Sequence, residues 1–437
     1  MPFYKNIKIL KLNFFDLFRR YKKHKILASN FVYLSILQGL NLILPLITFP
    51  YLIRILGIEY FGLLSFSFAF ITYFQIITDY GFNATGTRDV AMAIDNSERQ
   101  NEIFNQIMST KLFLTLLSFV LLMGIVFTFH IFRTYWLIYL FSFGSILGQA
   151  IFPIWYFQGI QKMKYITYLN LTTKIFFTIA LFIFIKQKSD YYLVPVFNAL
   201  GFIFAGLFSL FYIRKDFNIK FKIQSFKKIK EELNKGKYVF LSELKISLFT
   251  NTNTLILGII AGNQAVGFFS ASEKLARAIG NFQTPISNTL FPYLSKEMAL
   301  DKNKTLQKIK KITTYGTVIF LVIIVICFCF ANQIITIIYG TDMDSAVIIF
   351  KILILIPLFS FLDTMFGKQI LLNLGKDNLY FRVILYATII NLSINLLLTY
   401  FYKELGTAIA LIITQIVIVI GMWYFAKREM DMIFEKD

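Results

Sequence analysis

The sequence predicts an all-α integral membrane protein with twelve transmembrane helices in two six-helix lobes, related as a parallel pseudo-two-fold repeat. Three observations predict it. Of 437 residues, 57% are hydrophobic and 16% charged, against about 45 to 50% and about 25% in an ordinary soluble domain. Apolar runs of about 20 residues recur along the chain, long enough to cross about 30 Å of hydrocarbon as helices, which satisfy their own backbone hydrogen bonds in lipid. Finally, FVYLSILQ at 31–38 resembles YVFLSELK at 238–245, and FGLLSFS at 61–67 resembles VGFFSAS at 266–272, so a six-span block occurs twice.

In chain order, residues 1–28 form a basic N-terminal segment on the cytoplasmic side. Ile7, Leu10, Phe14, Leu17 and Tyr21 fall near helical spacing there, which fits an interfacial helix as well as a solvated basic tail. A continuous apolar core ending in a small-residue cleavage site is missing from this stretch, so no cleavable signal peptide is expected. The first lobe, 29–213, holds spans near 30–53, 61–80, 107–129, 134–157, 166–186 and 191–213. A basic cytoplasmic interlobe linker, 214–237, leads to the second lobe, 238–426. Its spans lie near 238–261, 265–294, 313–338, 345–372, 380–401 and 405–425, and 427–437 is a cytoplasmic tail. Because each block has an even number of spans, the lobes share one orientation, and a cavity is expected between them.

The weakest span is 265–294, which carries SASEKLARAIG at 270–280 and then GNFQTPISNT. Charge asymmetry retains it. With both termini cytoplasmic, most of the 44 Lys and Arg residues fall on the cytoplasmic side; if 265–294 did not cross, the two later basic clusters would face opposite sides of the membrane. The same confinement accounts for the net charge of +20 and argues against a nucleic-acid partner. Cys327 and Cys329, inside the apolar run IVICFCFA, read as small apolar residues. His24 and His130 are remote from each other and from any cysteine, so neither a metal site nor any other cofactor is expected.

Ionisable residues inside spans are the candidate functional groups, since one near the bilayer centre costs about 2.5 to 3.5 kcal/mol and usually faces a wet cavity or a partner. Lys174, Lys245, Lys274 and Arg277, with Arg88 at the mouth of span two, form the candidate cationic substrate surface. Glu243, Glu273, Asp79 and Asp363 are candidates for coupling to a proton or sodium gradient. Glu273 and Arg277 stand i, i+4 and can pair along one face, leaving Lys274 about 100° away at 3.6 residues per turn. In the alternative, these are a structural ion pair plus one stray lysine. The repeat places Phe68 and Ala69 where the second half has Glu273 and Lys274, so the charge is asymmetric. SELKISLFTNTNT gives span seven a broad polar face unsuited to lipid. Within DYGFNATGTRDVA, Arg88 pairing with Asp79 or Asp89 to pin the loop competes with ligand contact. Lys351 and Lys368 lie nearer span ends, where snorkelling is the default. Pro45, Pro50 and Pro285 remove helix donors and suit kinks at a gate, or simply shape. GSILG at 144–148 has the spacing for close helix packing.

The net positive sum favours an anion, and Lys and Arg suit phosphate in particular. SILQGLNLILPLITFPYLIRILG, FGLLSFSFAF, DYGFNATGTRDVA and ASEKLARAIGNFQTPISNTLFPYLS give the chain a resemblance, over essentially its whole length, to the Wzx-type flippases. These belong to the polysaccharide transport family of the multidrug/oligosaccharidyl-lipid/polysaccharide exporter superfamily. The resemblance implies translocation of undecaprenyl-diphosphate-linked oligosaccharide repeat units across the bacterial inner membrane by alternating access, for O-antigen, capsule or exopolysaccharide. It implies a transporter rather than an enzyme, in contact with membrane lipids and working beside polysaccharide polymerase and chain-length proteins. Two alternatives stand beside it: a multidrug exporter of the same fold, which calls for an acidic cavity, and a membrane polysaccharide polymerase or glycosyltransferase, which calls for a sizeable extramembrane segment.

Overall fold

The computed structural model describes residues 29–435 apart from 31, 34 and 42, with the side chains of 245, 246 and 248–250 outside the description. The expected N-terminal segment, 1–28, therefore lies outside the described residues. Among those described, the regular structure is helical throughout.

Among the described residues, ten helices are long and apolar enough to cross a membrane: Ser35–Leu56, Ile58–Met92, Ser97–Thr128, Trp136–Gly159, Met163–Phe184, Lys188–Phe217, Asn251–Leu300, Lys302–Cys329, Asp344–Leu372 and Asp377–Phe434. Some begin at a side-chain cap. Asn96 accepts the Arg99 backbone N–H at 2.9 Å, and Asp301 accepts that of Lys304 at 2.9 Å, each satisfying a donor the first turn leaves open. Asn251–Leu300 and Asp377–Phe434, at 50 and 58 residues, exceed one crossing. Each contains a backbone break, at Gly262 (φ 82°, ψ −179°) and Lys403 (φ 48°, ψ −128°). At Lys403 the chain doubles back: the Thr399 and Thr407 hydroxyls meet at 2.7 Å, and Asn391 Nδ2 donates to Thr414 Oγ1 at 2.8 Å. Both pairs are centred on the break, as an antiparallel helix hairpin requires. The break falls between the spans expected at 380–401 and 405–425.

The chain gathers into two compact units that interleave along the sequence. One takes the chain up to Leu44, Phe74–Phe184 and Leu193–Glu243; the other takes Pro45–Tyr73, Ile185–Tyr192 and everything from Leu244. The change of unit at Pro45 coincides with the first of the three prolines singled out in the sequence. Parts of the first two spans thus pack with second-half helices, a division that follows contacts rather than the repeat.

In the first unit the core is aromatic. Trp155, Tyr156, Phe157, Phe104 and Phe82 are buried together, with the Phe104 ring 5.8 Å from both Trp155 and Tyr156. GSILG seats helix Trp136–Ala150 on helix Leu193–Phe217: a Cβ at Gly144 would lie 2.7 Å from the Ala199 Cβ. Part of the segment expected as the interlobe linker is tied to helix Ser97–Thr128 here. Asn101, Asn105 and Ser109 accept the backbone N–H groups of Lys220, Lys222 and Gln224 at 3.1, 2.8 and 3.0 Å. Four helical residues rise about 6 Å and two extended residues about 6.6 Å, so one stripe of the helix matches alternate donors of the extended chain.

In the second unit, Asn395 Nδ2 donates to Asn253 Oδ1 at 2.9 Å, and the Tyr73 and Thr252 hydroxyls meet at 2.7 Å. The polar face expected on span seven is therefore used at least partly for packing. A Cβ at Gly62 would collide with the Asn263 carbonyl oxygen, and one at Gly267 with the Ile58 carbonyl oxygen. The alignment of FGLLSFS with VGFFSAS makes Gly62 equivalent to Gly267 and Ile58 to Asn263, so residues paired by the sequence similarity exchange the same close contact.

Candidate functional site

Three clusters of ionisable groups lie within the helices. The first, in the first unit, surrounds the end of helix Ile58–Asp79. Gly81 takes a left-handed conformation (φ 77°), open to glycine at little cost, and turns the chain into helix Phe82–Met92. This leaves Asp79 at the corner, where Lys111 Nζ meets its Oδ1 at 2.8 Å. The Lys111 side chain is 2% exposed and that of Asp79 19%. Glu243 lies against the Gly81 backbone N–H and close enough to Asp79 for the carboxylates to repel. Its helix is positioned by Phe240, whose ring stacks on Tyr80 at 4.5 Å. The cluster thus gathers a buried Lys111–Asp79 pair and a second carboxylate, Glu243, beside Asp79. Sequence reasoning missed Lys111, although Lys111, Thr115 and Ser118 stand on one helical face inside an apolar run.

Arg88 is not part of this cluster; it pairs with Asp89 at 2.9 Å, its own side chain 62% exposed. The loop-pinning pair expected as one alternative therefore forms with Asp89, while Asp79 turns to Lys111. Lys174 hydrogen-bonds Asn41 Oδ1 on helix Ser35–Leu56. Lys245 is outside the described side chains.

The second cluster lies in the second unit on residues 263–281. Arg277 Nε donates to Glu273 Oε1 at 2.8 Å, so this i, i+4 pair forms. Lys274 points elsewhere. Its Nζ stands 4.0 Å from the centre of the Phe49 ring and 5.4 Å from that of Phe61, and the two rings meet edge to face at 5.8 Å. Ring quadrupoles attract a cation without neutralising it. No carboxylate ion-pairs with Lys274 among the described residues. The Phe49 and Phe61 partners come from spans one and two, and nothing in the local sequence around Lys274 announces them.

The third cluster follows Asp363, at the end of helix Ile356–Asp363. The next nine residues, Thr364–Leu372, wind as a π-helix, a widened turn that is rare overall and frequently found at functional sites. Three polar side chains near it reach helix Gln283–Leu300: Lys368 Nζ donates to Asn288 Oδ1 at 2.8 Å, Gln369 Nε2 to the Ser287 carbonyl at 3.0 Å, and Ser295 Oγ to Asn373 Oδ1. Lys368 is therefore bonded within the protein where snorkelling was expected; Lys351 lies over the Phe328 ring at 5.4 Å. Asp363 Oδ1 is buried without a hydrogen-bond partner among the described residues, beside Tyr380 and Gly367. Pro285 explains a neighbouring feature: its ring excludes the carbonyl four residues earlier, and the helix is interrupted between Asn281 and Gln283. Pro50 sits within helix Ser35–Leu56. No group of three or more His, Cys, Asp or Glu side chains able to hold a metal occurs among the described residues.

Comparison with known proteins adds an independent observation. Residues 27–298 match the family model described as "Polysaccharide biosynthesis protein". Over 402 residues the chain is 29% identical to a protein of Escherichia coli (strain K12) named, provisionally, an O-antigen transporter, covering 92% of this chain and 97% of that one. Among solved structures it is similar to the lipid II flippase MurJ in an inward closed conformation, with TM-score 0.67, 13% identity and coverage of 91% and 87%. It is similar also to an inward-facing multidrug resistance transporter of the MATE family in the MOP superfamily, with TM-score 0.66, 14% identity and coverage of 90% and 96%. At these identities the two structures speak for the fold alone.

Proposed function

This chain belongs to the polysaccharide biosynthesis protein family, and we propose that it is a flippase for undecaprenyl-diphosphate-linked oligosaccharide repeat units. In this reading it has twelve crossings in two lobes, sits in the bacterial inner membrane with both termini cytoplasmic, and works by alternating access. The relative named as an O-antigen transporter supports the class of cargo. The observation that carries the chemistry is Lys274, a basic side chain inside a span that faces two phenyl rings and forms no ion pair among the described residues. A diphosphate entering the membrane needs a charge that is not already cancelled, and a lysine supplies three donors to its oxygens. Phe49 and Phe61 hold the ammonium while no cargo is present. Arg277, shared with Glu273, is a second donor that exchanges partners when phosphate arrives.

A gradient of protons or sodium ions drives the cycle in this proposal. Asp363 suits an ion because one carboxylate oxygen is buried and unpartnered among the described residues, while Glu243, half-buried at the Gly81 backbone N–H, offers a second place where a proton can be held. Polymerase and chain-length proteins would take the product. A drug exporter of the same fold would place acidic groups where Lys274 and Arg277 stand.

Depletion of the protein tests the reading. Lipid-linked repeat units are expected to accumulate on the inner leaflet while surface glycan falls, and re-expression of K274A/R277A should restore neither. Unchanged glycan on depletion, with heightened drug sensitivity instead, would hand the chain to the exporter reading.

A further inference from the structure

A cavity of about 690 Å³ opens in the second unit between residues of helix Lys302–Cys329, the π-helix Thr364–Leu372 and residues 404–434. Phe366, Ile370, Trp423 and Phe434 give it an apolar lining. Two lysines face it from different helices, Lys310 and Lys427, with Lys427 Nζ 5.4 Å from the Trp423 ring centre. Other cations nearby are already engaged: Lys308 with Glu297 at 2.5 Å and Lys376 with Glu429 at 2.8 Å. Neither Lys310 nor Lys427 forms an ion pair among the described residues. Asp431 also lines the cavity, so its two lysines and one carboxylate sum to a single positive charge. The basic run KEMALDKNKTLQKIKK enters the same helix a few residues before Lys310, which marks this as the water-facing end of that helix.

We propose that this cavity is a binding site for one anionic glycerophospholipid, its phosphodiester held by Lys310 and Lys427 and its acyl chains laid over Trp423, Phe366 and Phe434. Charge selects the occupant. A phosphodiester carries one negative charge, which matches the lining, whereas the diphosphate of a lipid-linked sugar carries more than the site neutralises. The Thr313 and Thr314 hydroxyls are already bonded to the Ile309 and Lys310 carbonyls at 2.8 and 3.0 Å, so the two ammonium groups, with the Gln307 amide beside them, supply the headgroup donors. Apolar and basic groups at a membrane boundary draw acidic lipid at about 1 kcal/mol per lysine, or roughly fivefold in occupancy. The site is separate from the transport reading and does not depend on it.

Trp423 makes the test local. The full chain carrying W136F keeps the fully buried Trp155 and the half-exposed Trp423, so lipid-borne quenchers report mainly on Trp423. In nanodiscs of phosphatidylcholine, brominated phosphatidylglycerol is expected to quench more than brominated phosphatidylcholine at equal mole fraction. That preference should fall about fivefold for K310Q or K427Q and vanish for the pair, while K304Q/K311Q, on the same helix outside the cavity, should keep it. D431N should raise it. Equal quenching by the two lipids, or an undiminished preference in K310Q/K427Q, overturns the proposal. So does displacement by undecaprenyl phosphate at concentrations where phosphatidylglycerol fails to compete, which would give the cavity to the cargo instead.

Discussion

The Asp79–Lys111 pair and Lys274 are both charges placed within membrane helices, but they are kept in opposite ways. Lys111 is 2% exposed and held at 2.8 Å by a carboxylate, whereas Lys274 leans on two phenyl rings and forms no ion pair among the described residues. Asp363 in the same second unit keeps an unpartnered oxygen too. The difference teaches where to look for work rather than architecture. A buried pair is broken at high cost, so it fixes structure; an uncancelled charge is available to something that arrives.

Substitutions can break the contrast at four points. The largest effect is expected from K111M, which strands the Asp79 carboxylate. Thermal unfolding of the solubilised protein should show a loss of about 3 to 5 kcal/mol, mostly recovered in D79N/K111M because both charges are then gone. Next is K274A, which should leave unfolding nearly unchanged but slow glycan export about ten- to a hundredfold, the worth of a charged hydrogen bond of about 1.5 to 3 kcal/mol. If K274A unfolds the protein instead, the lysine belongs with Lys111 as architecture. D363N leaves a neutral side chain of the same shape in this buried position, so the unfolding midpoint should move by no more than about 1 kcal/mol, while export should be uncoupled from the ion gradient in proteoliposomes. Smallest is E273Q: with the Arg277 side chain 40% exposed, screening leaves the pair about 0 to 1 kcal/mol, and the unfolding midpoint should barely move.

How much of this was legible beforehand follows from the range of each signal. Membrane helices announce themselves within about 20 residues, so the crossings and the turn at Lys403 could be read locally. The Glu273–Arg277 pair is one helical turn long and could also be read. Lys111 could not be matched to Asp79, which lies 32 residues earlier on another helix, and no pattern within either helix chooses between Lys111 and Arg88. The aromatic partners of Lys274 are more than two hundred residues away. The π-winding after Asp363 occurs where side chains of the turn reach Gln283–Leu300, some 80 residues away in sequence, and composition does not encode such contacts. The compact units cut across the repeat for a related reason. Sequence similarity records ancestry, whereas packing at Gly62 and Gly267 brings parts of both copies together.

The stitching of the interlobe linker onto Asn101, Asn105 and Ser109 makes that segment behave like a zip with fixed teeth. Alternate residues present their amides to the helix, so adding one residue between Lys220 and Gln224 would turn the downstream amide away from its acceptor, while adding two would restore the parity and merely bow the strand outward. Tolerance of insertions in this joint should therefore alternate between odd and even lengths, unlike a loose tether, for which only total length counts.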